Sequence, residues 1–230
     1  KSINHSGDLA FQEKIEKTFV GQLSAQAMFE TPENLLKLSS AVSDAYSSWI
    51  ADQTKKISTL DKEFVEQAKL NLERCSSASL RIKEGITYLE DHPDAMMAFQ
   101  LANLVMRIQR SWASGNSDWR KPQDTDLIWR PFQLAFALMC IPSASTRGHT
   151  DRNVFDLIWF PTGGGKTEAY LLLSAYVLFL RRIRNEKLSA SGLSVMMRYT
   201  LRTLTVQQFE RAAAMITACE VIRYEEYSNL

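Results

Sequence analysis

The run Pro161-Thr162-Gly163-Gly164-Gly165-Lys166-Thr167 holds the residue types that grip a nucleoside triphosphate. Glycines let backbone N–H groups turn toward phosphate oxygens with no Cβ in the way. A helix opening near Lys166 adds the positive end of its dipole. Lys166 supplies a mobile cation for the β- and γ-phosphates, and the Thr167 hydroxyl can ligate Mg²⁺. The expected ligand is ATP with Mg²⁺. The usual phosphate loop begins with Gly or Ala and ends in Gly-Lys-Ser/Thr. Here the end fits, whereas Phe160 stands at the opening position. The setting compensates, because the loop follows a β-rich run and opens an apolar helix. An ordinary strand-to-helix turn with a surface lysine accounts for less of this pattern.

Two further blocks carry candidate chemistry. In Trp129-Arg130-Pro131-Phe132-Gln133, the Gln133 amide can pair both a donor and an acceptor with an adenine edge. Taken alone, a glutamine on a helix is usually solvated. In Arg198-Tyr199-Thr200-Leu201-Arg202-Thr203, two arginines, a tyrosine and hydroxyls close a second β-rich run. Ligands bind at the carboxyl ends of strands in open α/β sheets, and such groups suit a nucleic-acid backbone. Helix capping by Thr203 or Thr205 with salt bridges explains the same residues equally well. Arg181, Arg182 and Arg184 read as cations complementing a helix C-terminus rather than as DNA contacts.

The other chemistry-bearing types are scattered. Cys75, Cys140 and Cys219 have neither metal-ligand nor redox spacing, and His5, His92 and His149 form no cluster. Neither a zinc site nor a disulfide framework is expected, which suits a reducing cytoplasm. The 230 residues carry a net charge of +1, so no global basic field points to nucleic acid. A local basic surface would be enough. Hydrophobic residues make up 45%, ample for a buried core, and no apolar run approaches a membrane span. The polar start Lys1-Ser2-Ile3-Asn4-His5 resembles no signal peptide and lacks an initiator Met, so the chain reads as a piece of a longer protein.

The elements that must position these residues fall in two parts. Residues 1–112 read as a helical domain. Thr31 and Pro32 mark one helix start, Asp61 is a candidate cap for the next, and Pro93 opens another. Val65, Ala68, Leu72, Cys75, Ser79, Ile82, Ile86 and Leu89 step by three and four. That is the seam of a coiled coil or, better, the inner face of an antiparallel bundle. Residues 113–126 are rich in breakers and read as a linker, with Trp112, Trp119 and Trp129 packing it onto a domain. Residues 127–230 read as the opening of an α/β lobe with a parallel sheet. Its expected elements are a helix over 131–140, a strand over 154–160, a helix over 167–184, a strand over 193–200 and a helix over 205–224. In the last helix Val206, Phe209, Ala213 and Ile216 are expected to face inward.

Three blocks together resemble superfamily 2 helicases, and more narrowly the helicase family of the DISARM anti-phage defence system. They are Trp129 to Gln133, Asp156 to Tyr170, and Met197 to Ala212. The resemblance runs from about Met97 to Arg223. It implies a mostly helical N-terminal domain followed by the start of a RecA-like ATPase lobe. It implies that Gln133 reads adenine with Arg130 beside it. Thr162, Gly163, Gly164, Gly165, Lys166, Thr167 and Glu168 would form the ATP-binding motif, with Lys166 and Thr167 catalytic and Thr167 on Mg²⁺. Arg198, Tyr199, Thr200 and Arg202 would hold the sugar–phosphate backbone of DNA. The family couples ATP hydrolysis to movement on DNA and works in the prokaryotic cytoplasm with a DrmB-like partner, a methyltransferase and a nuclease-like component.

No Asp-Glu box follows the last helix, and no arginine finger from a second lobe is present. The chain alone is therefore expected to bind ATP without turning it over. A competing reading makes it a non-hydrolysing interaction module that docks a partner through its helical part. A small-molecule kinase would leave Gln133 and the Arg198–Arg202 block without a role.

Overall fold

The computed structural model describes residues 19, 22–116, 118, 120, 127–159, 165–184, 192–198 and 204–227. Ser24 and Thr31 open the first two helices by the same device. The Ala27 N–H donates to Ser24 Oγ at 3.0 Å, and the Asn34 N–H donates to Thr31 Oγ1 at 3.1 Å. These bonds satisfy donors that every helix leaves open at its start. Helix α1 spans Ala25–Glu30 and α2 spans Pro32–Lys56. Pro32 takes the first helical position, where its missing N–H is not needed. A 3-10 turn at Ile57–Thr59 reverses the chain into α3, Lys62–Asp91. Asp61 precedes α3 as expected but makes no side-chain cap. Pro93 opens α4, Pro93–Ala113. Then come α5, Pro131–Ser145, α6, Lys166–Ile183, and α7, Leu204–Glu226.

The seam of α3 is where its spacing put it. Val65, Ala68, Leu72 and Cys75 are half-buried, and Ser79, Ile82, Ile86 and Leu89 are buried. The change along the helix has a cause. The first half of α3 lies in an antiparallel hairpin with α2, whereas the second half also meets α5. Small residues let these helices come close. Ser47 and Ser79 share a hydroxyl hydrogen bond of 3.0 Å between α2 and α3. At Gly85 the contact is closer still, since a Cβ there would lie 2.0 Å from the Leu138 carbonyl oxygen of α5.

Helix α4 is the centre of the molecule. It packs on α1, α6 and α7, and Phe99, Leu101, Leu104, Val105 and Ile108 are all buried. One hydrophobic cluster runs from Phe19 to Ile222 and takes in both sides of the breaker-rich stretch. Trp129 enters it as expected of a packing residue. Its indole N–H donates to Asn103 Oδ1 at 2.8 Å, and the Asn103 amide donates to the Phe99 carbonyl at 2.9 Å. A buried indole thus keeps its polar atom satisfied. Trp119 lies outside the described residues.

The expected α/β sheet is not there: among the described residues the fold is all-helical. Residues 154–159 and 193–198 carry no regular structure, and among the described residues the one β-bridge joins Ser24 to Ile128. β-propensity becomes a strand only when a second backbone accepts and donates along it. Without that neighbour the apolar side chains stand in solvent, with Phe155 91% and Trp159 88% exposed. A second correction concerns α7. Val206, Phe209 and Ile216 were expected to face inward and are exposed, whereas Met215, Ala218, Cys219 and Ile222 are buried. Helix α7 carries apolar residues on more than one face, and its docking on α4 and α6 selects which of them is covered.

Candidate nucleotide-binding site

Helix α6 starts at Lys166, and Gly165 is its N-cap with φ 88° and ψ 25°. That left-handed backbone is open to glycine and strained for most other residues. A glycine cap has no side chain of its own to bond the first-turn N–H groups. The amides of Lys166, Thr167 and Glu168 therefore open the helix with the positive end of its dipole. Lys166 and Thr167 are half-buried there. Thr162, Gly163 and Gly164, like Phe160 and Pro161, lie outside the described residues.

Gln133 and Gly165 are in contact. Gln133 sits near the start of α5, is buried, and donates from Nε2 to the Gly165 carbonyl at 2.7 Å. Its Oε1 accepts the Arg130 N–H at 2.8 Å. Both halves of the amide are thus engaged within the chain, one as a helix cap and the other on the Gly165 carbonyl. Arg130 itself is exposed beside it. Glu168 forms an ion pair with Arg211 of α7. The Arg211 carbonyl in turn accepts from Gln109 Nε2 at 2.5 Å, so α4, α6 and α7 join at the start of α6.

Of the block expected to hold DNA, Arg198 is exposed beside Met197, which packs on the core. Tyr199, Thr200 and Arg202 lie outside the described residues. The arginines at the end of α6 serve the fold. The Arg184 Nε donates to Asp94 Oδ2 at 2.6 Å, and its Nη1 donates to the Ser145 carbonyl at 2.5 Å. The guanidinium holds the Asp94 carboxyl below its ordinary range although burial opposes this.

A charge cluster that the sequence did not announce lies upstream of the loop. Arg81 of α3 donates from Nη1 and Nη2 to the two Asp156 oxygens at 2.5 and 2.9 Å. Its Nε lies 2.5 Å from Asp151 Oδ2, a charge contact rather than an aligned hydrogen bond. Each of these side chains is about one-fifth exposed or less, at 17% for Arg81 and Asp156 and 21% for Asp151. The fork of Arg matches a carboxylate in this bidentate way, and Lys cannot copy it. The signal that could have found the cluster is Asp156 itself, a lone carboxylate inside an apolar run. Along 155–159, Asp156 and Ile158 turn inward while Phe155, Leu157 and Trp159 turn out. That is the period of two of an extended chain.

Cys140 of α5 completes this corner, with Sγ 3.8 Å from Asp156 Oδ2. Burial first, and the Asp156 charge second, push its thiol up to about 12. Burial beside Glu220 likewise raises the Cys219 thiol to about 12. Only the thiolate is an efficient nucleophile. In the folded protein at pH 8, N-ethylmaleimide is expected to label half-buried Cys75 and to spare Cys140 and Cys219. Peptide mapping by mass spectrometry reads this directly, and rapid labelling of Cys140 would contradict the packing around Asp156.

Among the described residues no group of three or more His, Cys, Asp and Glu side chains could hold a metal ion. None of the described helices is long and apolar enough to cross a membrane. No family model matches the chain. At 35% identity, 95% of it aligns with the DISARM protein DrmA of Bacillus paralicheniformis, of which it covers 20%. Over nearly its whole length the chain is therefore similar to a segment of a DISARM protein, the group its three motif blocks resemble, and it spans about a fifth of that relative.

Proposed function

We propose that this chain is the nucleotide-gripping segment of an ATP-dependent DNA helicase or translocase in an anti-phage defence system. The observation that carries the reading is the start of α6. Left-handed Gly165 presents the amides of Lys166 and Thr167, and Gln133 of the upstream block touches that glycine. A Cβ at Gly165 would lie 2.5 Å from Gln133 Nε2, so this helix start favours the glycine that a phosphate-binding turn uses. Thr162, Gly163, Gly164 and Gly165 would cradle phosphate oxygens, Lys166 would neutralise them, and the Thr167 hydroxyl would ligate Mg²⁺. Bound Mg²⁺ supplies charge neutralisation at the phosphates. Gln133 with Arg130 would read the adenine, which requires Gln133 to release at least one of its present partners. Glu168, tied to Arg211, would hold α7 against the start of α6. Arg198, Tyr199, Thr200 and Arg202 would take the DNA backbone. Similarity to a DISARM protein supports the defence setting, and with it a DrmB-like partner and a prokaryotic cytoplasmic location.

The alternative, a non-hydrolysing docking module, draws on the hairpin of α2 and α3, where Leu60, Phe64 and Leu70 are exposed. Turnover separates the two. In the full-length protein we expect DNA-stimulated ATP hydrolysis, and Lys166→Ala should lower it by about 100-fold or more, as loss of a transition-state cation does. Lys166→Ala protein that hydrolyses ATP normally would overturn the phosphate-loop assignment. ATP binding with no DNA-dependent turnover in the wild type would favour the docking module.

A further inference from the structure

Residues 160–164 lie outside the described residues, and the chain on either side of them is held by helices of the packed body. Downstream, Gln133 of α5 holds the Gly165 carbonyl. Upstream, the chain enters the loop through 154–159, which has no strand partner among the described residues. Its polar anchor is Asp156, bound by both Nη atoms of Arg81 and approached by the Cys140 thiol of α5. Arg81 stands about one helical turn before Gly85, the point where α3 and α5 touch. Asp151, on the 3-10 turn Thr150–Asn153, contacts the same guanidinium and is positioned by His149, whose Nδ1 accepts the Asp151 N–H at 3.1 Å. His149 Nε2 lies 3.0 Å from Glu84 Oε1, so α3 grips this turn twice.

We propose that Arg81 is a positioning residue for nucleotide binding: held between Asp156 and Asp151, it fixes segment 154–159, upstream of the start of α6, from the helical hairpin. The inference rests on the nucleotide-binding reading above and adds a role for α3 within it. Its physical basis is preorganisation. Flanking chain that is already fixed in the free protein has less conformational freedom to lose when nucleotide binds at the start of α6, so the tether appears as affinity. A partner that displaced α3 would then weaken nucleotide binding without touching the loop. No sequence motif marks this role, because Arg81 lies off the apolar seam and 75 residues before Asp156.

The test measures the Kd of a fluorescent ATP analogue and the Tm of the full-length protein. The variants are Arg81→Lys, Arg81→Gln, Asp156→Asn, the double variant Arg81→Gln/Asp156→Asn, and Lys166→Ala. Asp156→Asn removes the tether at constant volume and leaves Arg81 its Asp151 partner, so it keeps the cluster charge-compensated even if Arg81→Gln fails to fold. Asp156→Asn and Arg81→Gln should each raise Kd about tenfold, and the double variant should be no worse than either, since coupled residues are not additive. Arg81→Lys keeps the charge but loses the fork, and should fall between wild type and Arg81→Gln. A role in stability alone would move Tm and leave Kd in place. Kd within twofold of wild type in folded Asp156→Asn would overturn the proposal, as would fully additive losses in the double variant. Lys166→Ala separates the two readings. If it binds the analogue normally, the nucleotide site itself is misassigned. If it loses binding while Asp156→Asn does not, only the role of Arg81 falls.

Discussion

Replacing Gly85 by alanine is expected to destabilise the protein by about 2 kcal/mol or more, although alanine is the better helix former by about 1 kcal/mol. The reason is what the new methyl group would meet. Its nearest neighbours are the Leu138 carbonyl oxygen at 2.0 Å, the carbonyl carbon at 2.7 Å and Cα at 3.3 Å, all backbone atoms of α5. A side chain can swing aside, but a helix backbone can yield only by moving as a body. Separating α3 from α5 would open the layer around buried Ile82, Ile86 and Leu138 and would draw Arg81 away from Asp156. The measurement is urea unfolding, with Gly148→Ala as the control because nothing lies within 4 Å of a Cβ there. A Gly85→Ala midpoint equal to wild type would mean that α3 and α5 do not meet in this way. Because the Arg81 tether depends on that contact, surviving folded Gly85→Ala should also bind nucleotide more weakly.

Gly165→Ala should act in the opposite proportion, with a modest loss of stability and a large loss of nucleotide affinity. An alanine at φ 88° pays about 1–2 kcal/mol for the left-handed backbone. Its Cβ would also lie 2.5 Å from Gln133 Nε2. Gln133 is buried and held at its other end by the Arg130 N–H, so it cannot simply rotate away. Either the glutamine releases the Gly165 carbonyl or the start of α6 shifts, and each disturbs the amides offered to phosphate. We expect an ATP-analogue Kd raised by about 100-fold, the effect of misplacing a preorganised site by roughly an ångström. Gly165→Asn divides the two causes, because asparagine tolerates the left-handed region but still carries a Cβ. Equal losses in both variants identify the clash as decisive, and recovery in Gly165→Asn identifies the backbone. Wild-type affinity in Gly165→Ala would argue against a phosphate site at this helix start.

Much of the helical part was legible because its signals are local. Thr31 followed by Pro32 states a cap and a first helical position, and both appear. The spacing from Val65 to Leu89 fixed one face of α3 and the partner-facing side of a hairpin. The glycine before Lys166 marked where α6 begins. Of the candidate site, the sequence offered residue types, and the structure adds that Gln133 and Gly165 come together across 32 residues of sequence. Yet the contact engages the Gln133 amide inside the chain, which no pattern of residue types discloses.

What failed needed information from distant residues. Val154 to Trp159 and Leu193 to Arg198 have strand composition, but composition does not supply a neighbouring backbone, and among the described residues the fold is all-helical. Val206, Phe209 and Ile216 form as good an apolar stripe as the one that is buried. The choice between them belonged to the surfaces of α4 and α6. The sequence by itself determined where helices start and which side of α3 is apolar, because each of these is set by residues within a turn or two. Only the tertiary structure decided that Gly85 touches Leu138, that Arg81 anchors Asp156, and that Gln133 of α5 engages the Gly165 carbonyl. Those are contacts between residues far apart in the chain, fixed by how close two helices can pack and by the cost of leaving a buried charge unpaired.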